Sequence, residues 1–357
     1  YGIWEIFLDE KSYKERFVHN SKIKVLVDAP NGWKERIPVW ATRVVQDDHT
    51  KDFSGQLWFP EKPFSWKGDT FKTGDLDQLL IYETHVGMST ERYGVGTYLE
   101  FAEHVLPRIK DAGYNAIQVM AIAEHPYYGS FGYHVANFFA PSSRFGTPEE
   151  LKHLIKKAHS MGIAVIMHTV KNIHEGINEF DGTDSHYTHS GDRGNHPAWD
   201  SKLFDYGKTE VLRFLLSNLK YWLEEYHFDG FRFDGVTSMM YLHHGMTAFD
   251  SREKFFTDGV EWDAITYLQL ANTLIHKVKK DAVSIAEDVS GMPGLCRPID
   301  EGGIGFDYRL AMGIPDFWIR TLKEKQDEHW NMDEIWNTLT DRMFGVGTIA
   351  YAESHDQ

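Results

Sequence analysis

Little in this chain points to a nucleotide, a metal or a membrane. It has one cysteine, Cys296, in 357 residues. An intrachain disulfide is excluded, and the composition suits a reducing compartment. Positive charge is scarce: 37 Lys and Arg stand against 53 Asp and Glu, a formal net charge of −16. A polyanion such as nucleic acid would be repelled, whereas a neutral substrate is compatible. No apolar run reaches the length that crosses a bilayer, and no secretory signal opens the chain. A cytoplasmic location is the expectation. The sequence begins at Tyr1 in mid-pattern, without an initiator Met, and ends at Gln357, which reads as a fragment. The histidines of 185–196 (His186, His189, His196) match no standard zinc spacing and read as a solvated loop.

What is abundant is aromatic: Trp, Tyr and Phe make up 14%. Most of these fill a core, but such rings also form flat platforms for sugars. Residues 1–65 contain short alternating runs such as Lys22-Ile23-Lys24-Val25-Leu26-Val27, broken at Pro30-Asn31-Gly32 and Pro60-Glu61-Lys62-Pro63. They read as the end of a small β-sandwich. Residues 66–78 are polar and read as a linker.

From 79 to 357 apolar runs alternate with amphipathic stretches. Strands are predicted at 79–83, 116–120, 163–167, 230–234, 283–287, 305–310 and 348–352. Helices are predicted at 98–112, 148–160, 210–226, 262–279, 315–325 and 333–341. Thr147 and Glu150 have capping-box spacing before the second helix. Seven such units predict a (β/α)₈ barrel lacking its last unit, in the α/β class. No Gly-rich phosphate loop follows the first strand, which argues against a doubly wound nucleotide-binding sheet.

Acidic residues fall where strands end, the face that carries barrel active sites. Asp234 ends the fourth strand and Glu287 the fifth, and His355-Asp356 follows the seventh. Arg232 lies two residues before Asp234 and faces the same side. Tyr133-His134 lies in the loop after the second strand. One Asp at a strand end is commonly a helix cap or an ion-pair partner. Three acids at three strand ends, with an Arg, carry a different meaning. Retaining glycosyl transfer needs two carboxylates roughly 5–5.5 Å apart, one attacking and one trading a proton. A third acid and a cation can hold the sugar.

The segments resemble the α-amylase superfamily (glycoside hydrolase family 13) in its branching-enzyme form. The carriers are Gly230-Phe231-Arg232-Phe233-Asp234-Gly235-Val236-Thr237-Ser238-Met239, Ala286-Glu287-Asp288-Val289-Ser290-Gly291-Met292-Pro293 and Ala352-Glu353-Ser354-His355-Asp356-Gln357. Tyr82-Glu83-Thr84-His85-Val86-Gly87 and Ser130-Phe131-Gly132-Tyr133-His134-Val135 add to them. Trp4-Glu5-Ile6, Pro38-Val39-Trp40 and Leu57-Trp58-Phe59-Pro60 are similar to the glycogen-binding module that precedes the barrel in that family. The resemblance implies Asp234 as nucleophile, Glu287 as general acid/base and Asp356 as third acid. It implies Arg232 fixing Asp234, Tyr133 stacking on the sugar, and His134 and His355 bonding to it. It further implies an α-glucan partner (glycogen, amylose or amylopectin), no cofactor and no metal. The product would be α-1,6 branches made from α-1,4 chains. A hydrolase of the same superfamily and a glucan-binding protein with impaired catalysis are the alternatives.

The third strand departs from the family pattern Asp-Val-Val-His-Ser-His. Here His168 stands at the Asp position and Ile173 at the final His position, in His168-Thr169-Val170-Lys171-Asn172-Ile173-His174. His174 could shift into the missing role only through a slip of the chain. The stretch Gly245-Met246-Thr247-Ala248-Phe249-Asp250 is shorter than its counterpart.

Overall fold

The computed structural model of the chain describes residues 5–120, 122–170, 172, 173, 177, 179–257 and 259–356, with only the backbone of Asn172 and Ile173. Trp4, Lys171, His174, Gln357 and the side chain of Ile173, all weighed above, lie outside the described residues.

Seven parallel strands form one sheet in chain order: β1 (Ile81–His85), β2 (Ala116–Met120), β3 (Ala164–Thr169), β4 (Gly230–Phe233), β5 (Val283–Ala286), β6 (Tyr308–Leu310) and β7 (Thr348–Ile349). Consecutive pairing of parallel strands through helical crossovers rolls a sheet toward a barrel. Among the described residues no ladder joins β7 to β1. β2 to β5 are buried on both faces, which explains their near-continuous apolar runs, whereas β1, β6 and β7 are only partly covered. One cluster, with Ala116, Ala164, Ile166, Val283 and Ile285, fills the concave side. The larger cluster lies between the strands and the helices.

The helices are α1 (Tyr98–Glu100, continuing through Phe101–Val105 and Leu106–Asp111), α2 (Pro148–Ser160), α3 (Thr209–Tyr226), α4 (Val236–Met240), α5 (Trp262–Val278), α6 (Gly313–Glu324) and α7 (Met332–Thr340). In α1 the middle segment is a π turn, and Pro107 follows it. Proline lacks the N–H that an α-helical register needs, so the wider turn accommodates it. α2 carries the expected capping box: Thr147 Oγ1 accepts from the Glu150 amide at 3.2 Å, and the Glu150 carboxylate accepts from the Thr147 amide at 2.6 Å. α3 buries Val211, Phe214, Leu215, Asn218, Leu219, Trp222, Leu223 and Tyr226, one stripe at helical spacing. The strand expected over 348–352 covers only Thr348 and Ile349, and that over 305–310 begins at Tyr308.

The N-terminal residues form two small antiparallel sheets. Lys22–Ile23, Phe53–Gln56 and Val44–Gln46 make one, and the hairpin Val25–Ala29/Gly32–Arg36 makes the other. They dock on the barrel's flank. Arg43 donates to the Gly146 carbonyl at 2.6 Å, Trp58 Nε1 donates to Glu149, and Trp40 packs on Phe139 and Phe214.

The polar segment 66–78 does not hang free. Trp66 stacks on His227 with centroids 3.9 Å apart. Asp69 bonds His159, whose other nitrogen bonds the fully buried Asp229 at 2.9 Å. Asp229 also accepts from the Val165 amide and from Lys279 at 2.5 Å. The network straps the segment to the strand entrances, opposite the catalytic face.

The stretch 185–196 is more packed than a solvated loop would be. His196 is 5% exposed and lies flat on Trp199, while His186 stacks on Tyr187.

Candidate active site

Register dictates the first contact. β4 and β5 pair in parallel with Phe233 opposite Ala286, so the next residue of each strand, Asp234 and Glu287, emerges at the same level. The ladder runs on past them, as the Glu287 amide donates to the Phe233 carbonyl at 3.0 Å. β3 pairs with His168 opposite Arg232. Because side chains alternate, 232 and 234 share the concave face.

The Arg232 guanidinium, 2% exposed, bridges the two acids: Nη1 donates to Asp234 Oδ1, and Nη2 lies 3.0 Å from Glu287 Oε2. Burial penalises its charge, but the two carboxylates outweigh that and raise its pKa. Glu287 Oε2 also accepts from the Gly235 amide at 2.9 Å. Burial and the neighbouring charge of Asp234 push the Glu287 carboxyl above the ordinary range, against the pull of Arg232. Glu287 thus holds its proton to higher pH than a free glutamate, as a proton donor to a leaving oxygen requires.

Two further acids enter through histidine. The His355 amide donates to Glu83 Oε2, and His355 Nδ1 bonds Glu83 Oε1, both at 2.9 Å. This clasp ties the segment after β7 to β1, across the side where the ladder is open. Gln118 donates to Glu83 Oε1 at 2.8 Å and orients it. His355 Nε2 meets the Tyr133 hydroxyl at 2.6 Å and Asp356 Oδ1 at 3.2 Å. Burial opposes protonation of His355, but Glu83 and Asp356 prevail and raise its pKa. Asp356 is raised as well, by burial first; His355 opposes that and Glu287 adds to it. The Tyr133 hydroxyl donates to Asp234 Oδ1 at 3.4 Å. Tyr133 reaches in from a loop whose base is the pairing of Ala123–Glu124 with Asn137–Pro141, and Phe131 just before it takes φ 52°.

Asp234, Glu287, Asp356, Arg232, Tyr133 and His355 therefore share one cluster. The His134 amide donates to Ser130 Oγ at 3.3 Å and its ring is 5.9 Å from that of Tyr127. Asp288, next in sequence to Glu287, is buried and structural. It accepts from Thr237, Ser290 and Gly291 and from Arg309 at 2.7 Å, holding the loop after β5.

Sequence reasoning assigned no part to Glu83, although it lies inside a family-like segment. It also withheld one from His168. The His168 ring is buried, with Nε2 2.5 Å from Arg232 Nη1 and 3.2 Å from Asp234 Oδ1. Burial first, then the Arg232 charge, depress its pKa, so the imidazole is neutral. Its Nδ1 is buried and has no hydrogen-bond partner among the described residues. The signal for this placement was strand register alone.

No helix among the described residues is long and apolar enough to cross a membrane. The profile described as "Alpha amylase, catalytic domain" matches residues 81–200. A Salmonella typhimurium crystal structure, provisionally described as an alpha amylase, superposes with a TM-score of 0.64 at 19% identity, over 92% of this chain and 56% of that one. This likeness concerns the fold alone. Proteins named 1,4-alpha-glucan-branching enzyme match along the whole chain: 53% identity over 364 residues in Dictyostelium discoideum, 53% over 366 in Felis catus and 52% over 371 in Solanum tuberosum. The chain covers 53%, 52% and 43% of those relatives, so it spans about half their length. The alignments are longer than the 357 residues here, so the relatives carry insertions that this chain lacks. With its rolled parallel sheet and matches of this extent, the chain is similar along its whole length to 1,4-alpha-glucan-branching enzymes, and its residues 81–200 match an alpha amylase catalytic domain.

Proposed function

We propose that this chain carries the catalytic barrel of a retaining transglycosylase that cuts α-1,4-glucan chains and rejoins the segment to a 6-hydroxyl. The observation that carries the reading is one guanidinium bridging Asp234 and Glu287 at adjacent strand ends. In the first step an Asp234 oxygen attacks the anomeric carbon while Glu287 gives its proton to the departing 4-oxygen. A covalent glucosyl ester on Asp234 results, with inverted configuration. In the second step Glu287 removes the proton from an acceptor 6-hydroxyl, which displaces Asp234 and restores the α configuration. Arg232 holds the Asp234 carboxylate in place for attack, and Asp356 with His355 holds the sugar's hydroxyls. Tyr133 stacks on the ring at the cleavage point, and His134 borders the same subsite. No step calls for a cofactor or a metal. Residues 1–65 would be the tail of a glycogen-binding module, with 66–78 as the linker that joins it to the barrel.

Trapping with a fluorinated glucosyl donor tests the covalent step: a mass increment on the peptide containing Asp234 is expected. Incubation with amylose tests the branching. New α-1,6 linkages with little reducing-end release support it, whereas reducing sugar alone points to hydrolysis.

A second reading, a glucan-binding protein with weakened catalysis, has one specific observation in its favour. The neutral His168 stands where the family's anion would support Arg232, and its Nδ1 finds no partner among the described residues. Glycogen binding without turnover and without the Asp234 adduct would favour it.

A further inference from the structure

The mechanism above leaves unstated what positions the acceptor chain. The loop after β3 brings one ring to the catalytic carboxylates. Trp199 lies flat on His196, with centroids 4.0 Å apart and planes 5° from parallel. His196 is itself locked: Nδ1 accepts from the amides of Ala198 and Trp199 at 3.2 and 3.1 Å. Its proton is therefore on Nε2, which donates to Ser238 Oγ on α4 at 2.8 Å. The outer edge of the indole meets Gly235. A Cβ at that position would fall 2.9 Å from Trp199 Cη2 and 3.2 Å from Cζ3, and Gly235 also takes φ 58°. Glycine is required twice here, by the backbone and by the ring. Gly235 follows Asp234 directly and its amide holds Glu287 Oε2.

Trp199 is nevertheless 43% exposed. Exposure alone does not select it, since Trp33, Trp40, Trp262 and Trp336 are exposed further. What sets it apart is a rigid imidazole backing on one face and an edge one residue from both catalytic acids. A ring needed only for packing would be covered. Its loop neighbours Asn195 and Pro197 and the His196 partner Ser238 border a cavity of about 840 Å³ that Trp199 itself does not line. That is the size of a ligand cleft, and its wall mixes apolar side chains with Asp192, Arg193, Glu261 and Asp263.

From this geometry we infer that Trp199 is a stacking platform for the acceptor glucan, which runs from Glu287 over the indole into the cavity behind α4. The inference rests on the glucan-transfer reading and names the half of that reaction's substrate it concerns. Acceptor sugars reach Glu287 because their hydroxyl must surrender its proton there, and the platform flanks that carboxyl. An indole that loses its sugar contact forfeits about tenfold in half-saturation, by the worth of one aromatic contact.

The test compares the unaltered chain with Trp199→Ala and Trp199→Phe. Adduct formation on Asp234 with the fluorinated donor is followed alongside the partition of the intermediate between water and a maltooligosaccharide acceptor. The expected result is an acceptor half-saturation raised about tenfold in Trp199→Ala, with more hydrolysis per transfer. Adduct formation should change far less, and Trp199→Phe should recover most of the loss. An unchanged half-saturation overturns the inference. So does an equal fall in adduct formation and transfer that Phe fails to rescue, since that marks a structural ring. If the unaltered chain forms no adduct, the glucan-transfer reading fails by itself. Calorimetric titration of maltoheptaose into Glu287→Gln with and without Trp199→Ala then decides the platform: weaker binding without the indole supports it, and equal binding refutes it.

Discussion

His168 is the residue whose chemistry sets this chain apart. A neutral imidazole meets Arg232 and Asp234 at once, and its single Nε2 serves only one of them well at a time. A carboxylate there would give the guanidinium a third anion and leave no buried Nδ1 unpaired. His168→Asp is expected to raise kcat by about tenfold, the return of one charge-assisted contact of roughly 1–3 kcal/mol. Steady-state branching kinetics check this, and an unchanged kcat refutes it. Glu287 offers a second prediction. Its pKa is higher in the folded than in the unfolded chain, by burial and by Asp234. A carboxyl shifted upward costs stability once pH exceeds the unfolded value, about 4.3 for Glu, and costs nothing when both states are protonated. Glu287→Gln should therefore raise Tm at pH 7 while abolishing turnover, and the gain should vanish below about pH 4. Differential scanning calorimetry at both pH values decides it.

At the scale of elements, the last turn of α2 carries His159, which links the strap segment to the buried Asp229. Burial works against its charge, but hydrogen bonds and charges from Asp229 and Asp69 raise the pKa above that of a free histidine. The sign follows: the stabilisation is complete below the unfolded value of about 6.5 and is lost as pH rises through the folded one. The unfolding free-energy difference between the unaltered chain and His159→Gln should be largest near pH 5 and shrink toward pH 9. Urea melts across that range measure it, and a difference that grows with pH would contradict the assignment. The elements also show where sequence was readable. β2 and α2 fall where the apolar pattern and the capping box put them, because the signal is local. The pairing of 123–124 with 137–141 carried no such signal: two residues of strand are too few for any period. Tyr133 is held in the site by that pairing, so its aim was invisible until the chain folded.

Across the whole molecule, β1 and β7 are both edge strands among the described residues, bridged only by the Glu83–His355 clasp. The helices α6 and α7 and the turn that follows them show Leu322, Met332, Trp336 and Phe344 to solvent, at 65, 68, 68 and 97% exposure. This is the side of the sheet that the described residues leave uncovered.

Sequence by itself determined the alternating strands and helices, the acids at their ends and the resemblance to branching enzymes. Those signals sit within ten or so residues of one another and depend on local periodicity and motif spacing. Only the tertiary structure decided that Arg232 binds two carboxylates, that Glu83 reaches His355 across 272 residues, that His168 takes its place beside Asp234, and that Trp199 borders Gly235. Each of those contacts requires strands to be in register around a rolled sheet. Register emerges from the summed packing of both its faces, a quantity that no short stretch of the chain contains.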